Sequence, residues 1–198
     1  MGAREWWLRA ALVLWAPRDV FSAMRLDGPD ERQEPAAALI VLASFFAVLS
    51  TPRFATFLDD PEVSGASVAV FAFVAAVTYA FVAYFVLGAA LKLGSGAPYR
   101  LARHVVAYAS APLALGTLLL WPVRIAAYDA DLFRAGGSDG GVDGTAFALA
   151  ELGCALWALG LLVFGARYAL VLPWPRAVAA CVLPATLAGL AVWIDRFQ

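Results

Sequence analysis

Long apolar runs alternate with short polar connections along this chain. Five runs, at roughly residues 35–51, 67–91, 105–123, 146–166 and 177–193, hold few charges. A helix rises 1.5 Å per residue, so crossing ~30 Å of hydrocarbon takes ~20 mostly apolar residues. The middle three runs meet that length, and the first and last fall slightly short at about 17. The pattern predicts an all-α membrane protein, with a five-span transmembrane helical bundle over residues 35–198.

Residues 1–34 read differently, as short amphipathic helices lying at the membrane interface. Trp6 and Trp7 stand beside Glu5 and Arg9, whose i, i+4 spacing supports a helix. Arg9 interrupts the apolar run, and Pro17 follows Ala16 without a small-x-small site. This favours a helix in the headgroup region over a cleaved leader. Pro17 suits the first turn of a second helix reaching Leu26, since its missing N–H costs nothing there. That helix places Val20, Phe21 and Met24 on one face. Trp6, Trp7, Pro17 and Phe21 are the expected interfacial anchors. Asp27-Gly28-Pro29 then turns the chain toward the first span.

Composition agrees with lipid as the solvent. Hydrophobic residues make up 63% and charged residues 15%, with a mean hydropathy of +0.79. Soluble domains sit near 45–50% and about 25%. The net charge of −1 gives no basic field for nucleic acid. Cys154 and Cys181 fall inside predicted spans and read as small buried hydrophobes. Thirteen arginines against Lys92 alone point to a high-GC, bacterial source and hence to the cell (inner) membrane.

Cation placement sets the expected orientation. Arg4, Arg9, Arg18, Arg25, Arg32, Lys92, Arg100, Arg103, Arg167 and Arg176 fall on one side of the five-span arrangement. Only Arg53, Arg124, Arg134 and Arg196 fall on the other. The positive-inside rule puts the N-terminus in the cytoplasm and, with five spans, the C-terminus outside.

Few residues offer chemistry. The only histidine, His104, has no second histidine or nearby acid to complete a metal set. It reads as interfacial. Ser95 lies in a Gly94-Ser95-Gly96 loop without a strained nucleophile elbow. Asp139 and Asp143 belong to a glycine-rich outer loop that reads as solvated. No catalytic, cofactor-binding or metal-binding residues are expected. Glu151 lies about five residues, ~7 Å, into the fourth run. A carboxylate at membrane depth is costly, and Arg124 at the end of the third run is its expected partner. The pair reads either as structural or as a cation or proton site. Pro112 and Pro184 interrupt the third and fifth runs, each freeing a carbonyl and predicting a kink. Ala72, Ala76 and Ala80, four apart, suit close helix contact.

Two stretches resemble a known family. One is Ala16-Pro17-Arg18-Asp19-Val20-Phe21-Ser22-Ala23-Met24, a proline followed four residues later by phenylalanine, with Pro35 and the first span after it. The other is Gly96-Ala97-Pro98-Tyr99-Arg100 leading to Val106-Ala107-Tyr108-Ala109-Ser110-Ala111-Pro112-Leu113. With the five-span, N-inside pattern, the chain resembles the Yip family, the Ypt/Rab-interacting multi-pass membrane proteins, in its bacterial-type members. The resemblance implies membrane traffic, prenylated small-GTPase binding and hetero-oligomers for the eukaryotic members. It implies no catalytic residues. Here the N-terminal segment of some 34 residues lacks their long extension, so a GTPase partner is not carried over. The expected partners are the lipid bilayer and other membrane proteins or a second copy. The expected role is a non-catalytic scaffold, assembly or bilayer-shaping factor. The alternative is a small-molecule or ion transporter using the kinks at Pro112 and Pro184 with Glu151.

Overall fold

The computed structural model describes residues 6–26, 35–51, 54–59, 63–135 and 142–196, and every regular element among them is helical. Helices α1 (Trp6–Trp15) and α2 (Pro17–Met24) precede α3 (Pro35–Leu49). A 3-10 turn at Phe54–Asp59 leads to α4 (Gly65–Val82), which passes through a π turn at Ala83–Leu87 into α5 (Gly88–Ser95). Then come α6 (Tyr99–Ala109), α7 (Ala111–Tyr128), a 3-10 turn at Asp129–Phe133, α8 (Val142–Tyr168) and α9 (Trp174–Arg196).

Local signals explain where these rods begin and end. Ser64 caps α4 by accepting from the Ser67 N–H at 3.2 Å. Gly96, at φ 70°, ends α5 in the left-handed conformation that glycine adopts freely. Pro98 stands at the N-cap of α6. Pro112 occupies the first turn of α7, where its ring and missing N–H are tolerated. The expected kink is therefore a break at Ser110 (φ −80°, ψ 1°), between two separate helices. Pro184 lies inside α9, and a second internal proline, Pro122, lies inside α7.

Among the described residues, four helical stretches are long and apolar enough to cross a bilayer: Gly65–Ser95, Tyr99–Tyr128, Gly144–Tyr168 and Trp174–Ala191. The first expected span is shorter. Helix α3 has 15 residues, because Thr51 turns its hydroxyl back onto the Val48 carbonyl at 2.7 Å and Pro52 follows.

The rods pack around α6 and α7. About 61% of the apolar stretch in Tyr99–Tyr128 is buried, against 6% in Gly144–Tyr168, so α6–α7 is the axis and α8 a peripheral rod. Helix α3 lies against α7 and α4, α5 against α9 and α6, and α8 against α7, α6 and α9. Small residues point inward: Ala72, Ala76 and Ala80 are buried on α4, while Val70, Phe71, Phe73, Val74, Val77 and Phe81 are exposed. That arrangement would be ruinous in water. In lipid, large apolar side chains gain nothing by hiding, and small ones let backbones approach for dispersion contact.

Helix α2 is part of the bundle. Phe21, expected as an interfacial anchor, is fully buried, as are Val20 and Met24. The reason is Gly165 on α8. A Cβ there would stand 3.1 Å from Phe21 Cε1 and 2.4 Å from Val105 Cγ1, so glycine makes the room that seats the ring. Pro17 is half-buried at the first turn of α2. Trp7 is exposed on α1; the side chain of Trp6 lies outside the described residues.

Candidate functional site

The successive rods run in alternating directions, which separates the bundle into two ends. One end carries the close of α3, the start of α8 and the end of α7. The other carries Ser95, Tyr99, Tyr168 and Trp174.

At the first end the structure brings Arg124 and Glu151 together. Arg124 Nη1, on α7, donates to Glu151 Oε1, on α8, at 2.7 Å, and the two side chains are 16% and 19% exposed. Ser50, just beyond α3, lines the same cavity as Glu151. The guanidinium lies over the Trp121 ring, 5.0 Å from its centroid. Three elements thus meet beside one carboxylate. They line a cavity of about 130 Å³ with Leu49, Thr51, Leu132 and Phe133. Among the described residues the buried Trp121 Nε1 has no hydrogen-bond partner. A donor left bare in a dry site costs roughly 1–3 kcal/mol. A cavity of that volume has room for a small polar guest, water first. The second 3-10 turn forms the rim, fixed where the Ala135 N–H bonds the Asp59 carboxylate at 3.1 Å.

At the opposite end Arg103 is enclosed by rings. Its Cζ is 5.0 Å from the centroid of Tyr84, 5.0 Å from Phe85 and 4.6 Å from Tyr99. Each such contact contributes about 0.5–2 kcal/mol, more where water is excluded. The π turn makes this geometry. Its Phe85 carbonyl accepts from the Tyr99 hydroxyl at 2.9 Å as well as from the Gly88 N–H. His104, expected at the interface, is buried beside this cage, its Nδ1 2.6 Å from the Arg100 carbonyl and its ring edge-on to Tyr84.

Ser95 donates its hydroxyl to the Leu91 carbonyl at 2.6 Å, a helix-end bond. Pro112 and Pro184 are both fully buried, and neither lines the Arg124–Glu151 cavity. Cys154 and Cys181 are free thiols. Asp139 and the side chain of Asp143 lie outside the described residues. Among the described residues no three of His, Cys, Asp and Glu gather as a metal set.

Sequence reasoning missed Ser50, Trp121 and the Arg103 cage. Tyr99 and Arg103 are spaced i, i+4 on a helix, a readable signal. Tyr84 and Phe85 reach that cage from another rod, with no local signature.

No curated protein and no solved structure matches the chain. A family model described as the Yip1 domain matches residues 11–194, running from α1 through nearly all of α9. With that match spanning almost every described helix, the chain belongs to the Yip1-domain family of membrane proteins.

Proposed function

We propose that this protein is a non-catalytic five-span scaffold, with α3 as the short fifth span, that assembles membrane proteins or shapes the bilayer. Its N-terminus lies in the cytoplasm and its C-terminus outside, following the ten-to-four cation asymmetry. The observation that carries the reading is the outer face of α1. Val13 turns inward and is fully buried, while Trp7, Leu8, Leu12 and Trp15 turn outward, Trp15 being 86% exposed. Helix α2, locked by Phe21, holds that apolar face in place. A short helix with tryptophans on its outer face suits the headgroup–acyl boundary or a partner helix.

The test replaces Trp7, Leu12 and Trp15 together by serine, which leaves Val13 and Phe21 untouched. The variant is expected to keep the wild-type melting temperature, but to lose vesicle deformation on reconstitution and recovery of cross-linked membrane partners. A folded variant that retains both would overturn the reading. The transport alternative draws its support from the Arg124–Glu151 cavity. Solute flux into proteoliposomes that changes on Glu151→Gln would favour it instead.

A further inference from the structure

A second cluster of charge and aromatic rings lies where α8 ends and α9 begins. Arg18, in the first turn of α2, has its Cζ 5.6 Å from the Tyr168 ring centroid. Arg167 has its Cζ 5.5 Å from the same centroid and 6.0 Å from that of Trp174. Trp174 stands edge-on to Tyr168 at 6.1 Å and to Phe164 at 5.6 Å, forming an aromatic box.

Two like charges share one ring here, with no compensating acid among the described residues. Among the described residues neither arginine makes an ion pair, and Asp19, adjacent to Arg18, pairs with neither. Arg167 Nε is buried without a hydrogen-bond partner. Part of Arg167 has a structural duty. Its Nη1 holds the Leu172 carbonyl at 3.0 Å across a turn that forces Val171 to φ 59°. That accounts for one donor of a five-donor fork. It accounts for nothing at Arg18, an exposed side chain free to face water instead.

We propose that Arg18 and Arg167 bind a phosphate group, that of an anionic phospholipid headgroup, against the Tyr168–Trp174 corner. The position is right: a span terminus flanked by aromatic rings lies at headgroup depth. The chemistry is right as well, since a guanidinium fork matches phosphate oxygens and stacks on ring faces at once. A bound phosphate offsets the two positive charges gathered at the Tyr168 ring. The site stands apart from the scaffold reading and needs only the membrane-spanning fold.

The test purifies the full chain from micelles of phosphatidylcholine with phosphatidylglycerol and counts retained lipid by native mass spectrometry. Wild type is expected to retain phosphatidylglycerol selectively, with retention falling as salt rises. Arg18→Gln, which leaves the Arg167–Leu172 bond in place, is expected to weaken retention about fivefold, the share of one interfacial cation. Arg134→Gln, at the opposite end, is expected to change nothing. Equal retention by Arg18→Gln and wild type would overturn the site. So would an equal loss with Arg134→Gln, which would mark a bulk charge effect. Displacement of the lipid by inorganic phosphate at matched concentration would keep the phosphate site but overturn the lipid as its source.

Discussion

Single residues divide here into those whose surroundings the local sequence announces and those whose surroundings only packing creates. Glu151 belongs to the first kind. A lone carboxylate inside an apolar run demands a cation, and Arg124 is the cation that α7 delivers, at 2.7 Å. Removing either partner strands the other in a site more than three-quarters shielded from water. Glu151→Gln is therefore expected to destabilise the bundle by about 1.5–3 kcal/mol, the range for a charged hydrogen bond. The double variant Arg124→Leu/Glu151→Leu is expected to lose less than the two single changes summed, as apolar replacement of a shielded pair usually does. Reversible unfolding in mixed micelles measures the cycle, and strict additivity would deny the coupling. Phe21 belongs to the second kind. Its amphipathic spacing on α2 is equally consistent with facing lipid or facing protein. The deciding feature is the missing side chain at Gly165, 144 positions along the chain.

At the scale of elements, rod length was readable and rod continuity was not. Apolar runs of about 20 residues are visible by inspection. The π turn at Ala83–Leu87 is invisible, because Ala-Tyr-Phe-Val-Leu would fit an ordinary helix as well. What accompanies it is tertiary, a hydroxyl from Tyr99 donating to the Phe85 carbonyl. Contact between rods follows the same logic. A Cβ at Gly94 on α5 would stand 2.8 Å from both Cα and the carbonyl oxygen of Ala180 on α9. Backbone cannot step aside as a side-chain tip can. Gly94→Ala is thus expected to push α5 from α9 and cost about 1–3 kcal/mol, as overpacking does. Gly160→Ala, on α8 with open space around it, is expected to be neutral or to stabilise by up to about 1 kcal/mol. Thermal unfolding in one detergent compares the two directly. Matching melting temperatures would show that the α5–α9 contact is slack.

The whole molecule is apolar on its outside as well as in its core, and this much composition alone foretold. Orientation rests on the distribution of arginine, which leads to a labelling prediction. In a background of Cys154→Ala and Cys181→Ala, a cysteine at Ser22 is expected to react with an impermeant maleimide only after the membrane is opened. One at Asp131 is expected to react in intact cells. The reverse pattern would invert the assignment. The first apolar run was readable as slightly short, at about 17 residues, and α3 is shorter still. On the five-span reading proposed above, a rod of 15 residues rises only ~22 Å, some 8 Å less than the hydrocarbon it would cross. Shielded by α4 and α7, it leaves a dent in the bundle's end instead of stretching to meet the surface. Leu49, Ser50 and Thr51 form the floor of that dent, and Glu151 stands in its wall. On that reading the shortfall of one helix would lower the waterline locally, letting a carboxylate sit below the rim of the bundle without being cut off from solvent. Two or three residues added to α3 would raise the floor and seal the acid in.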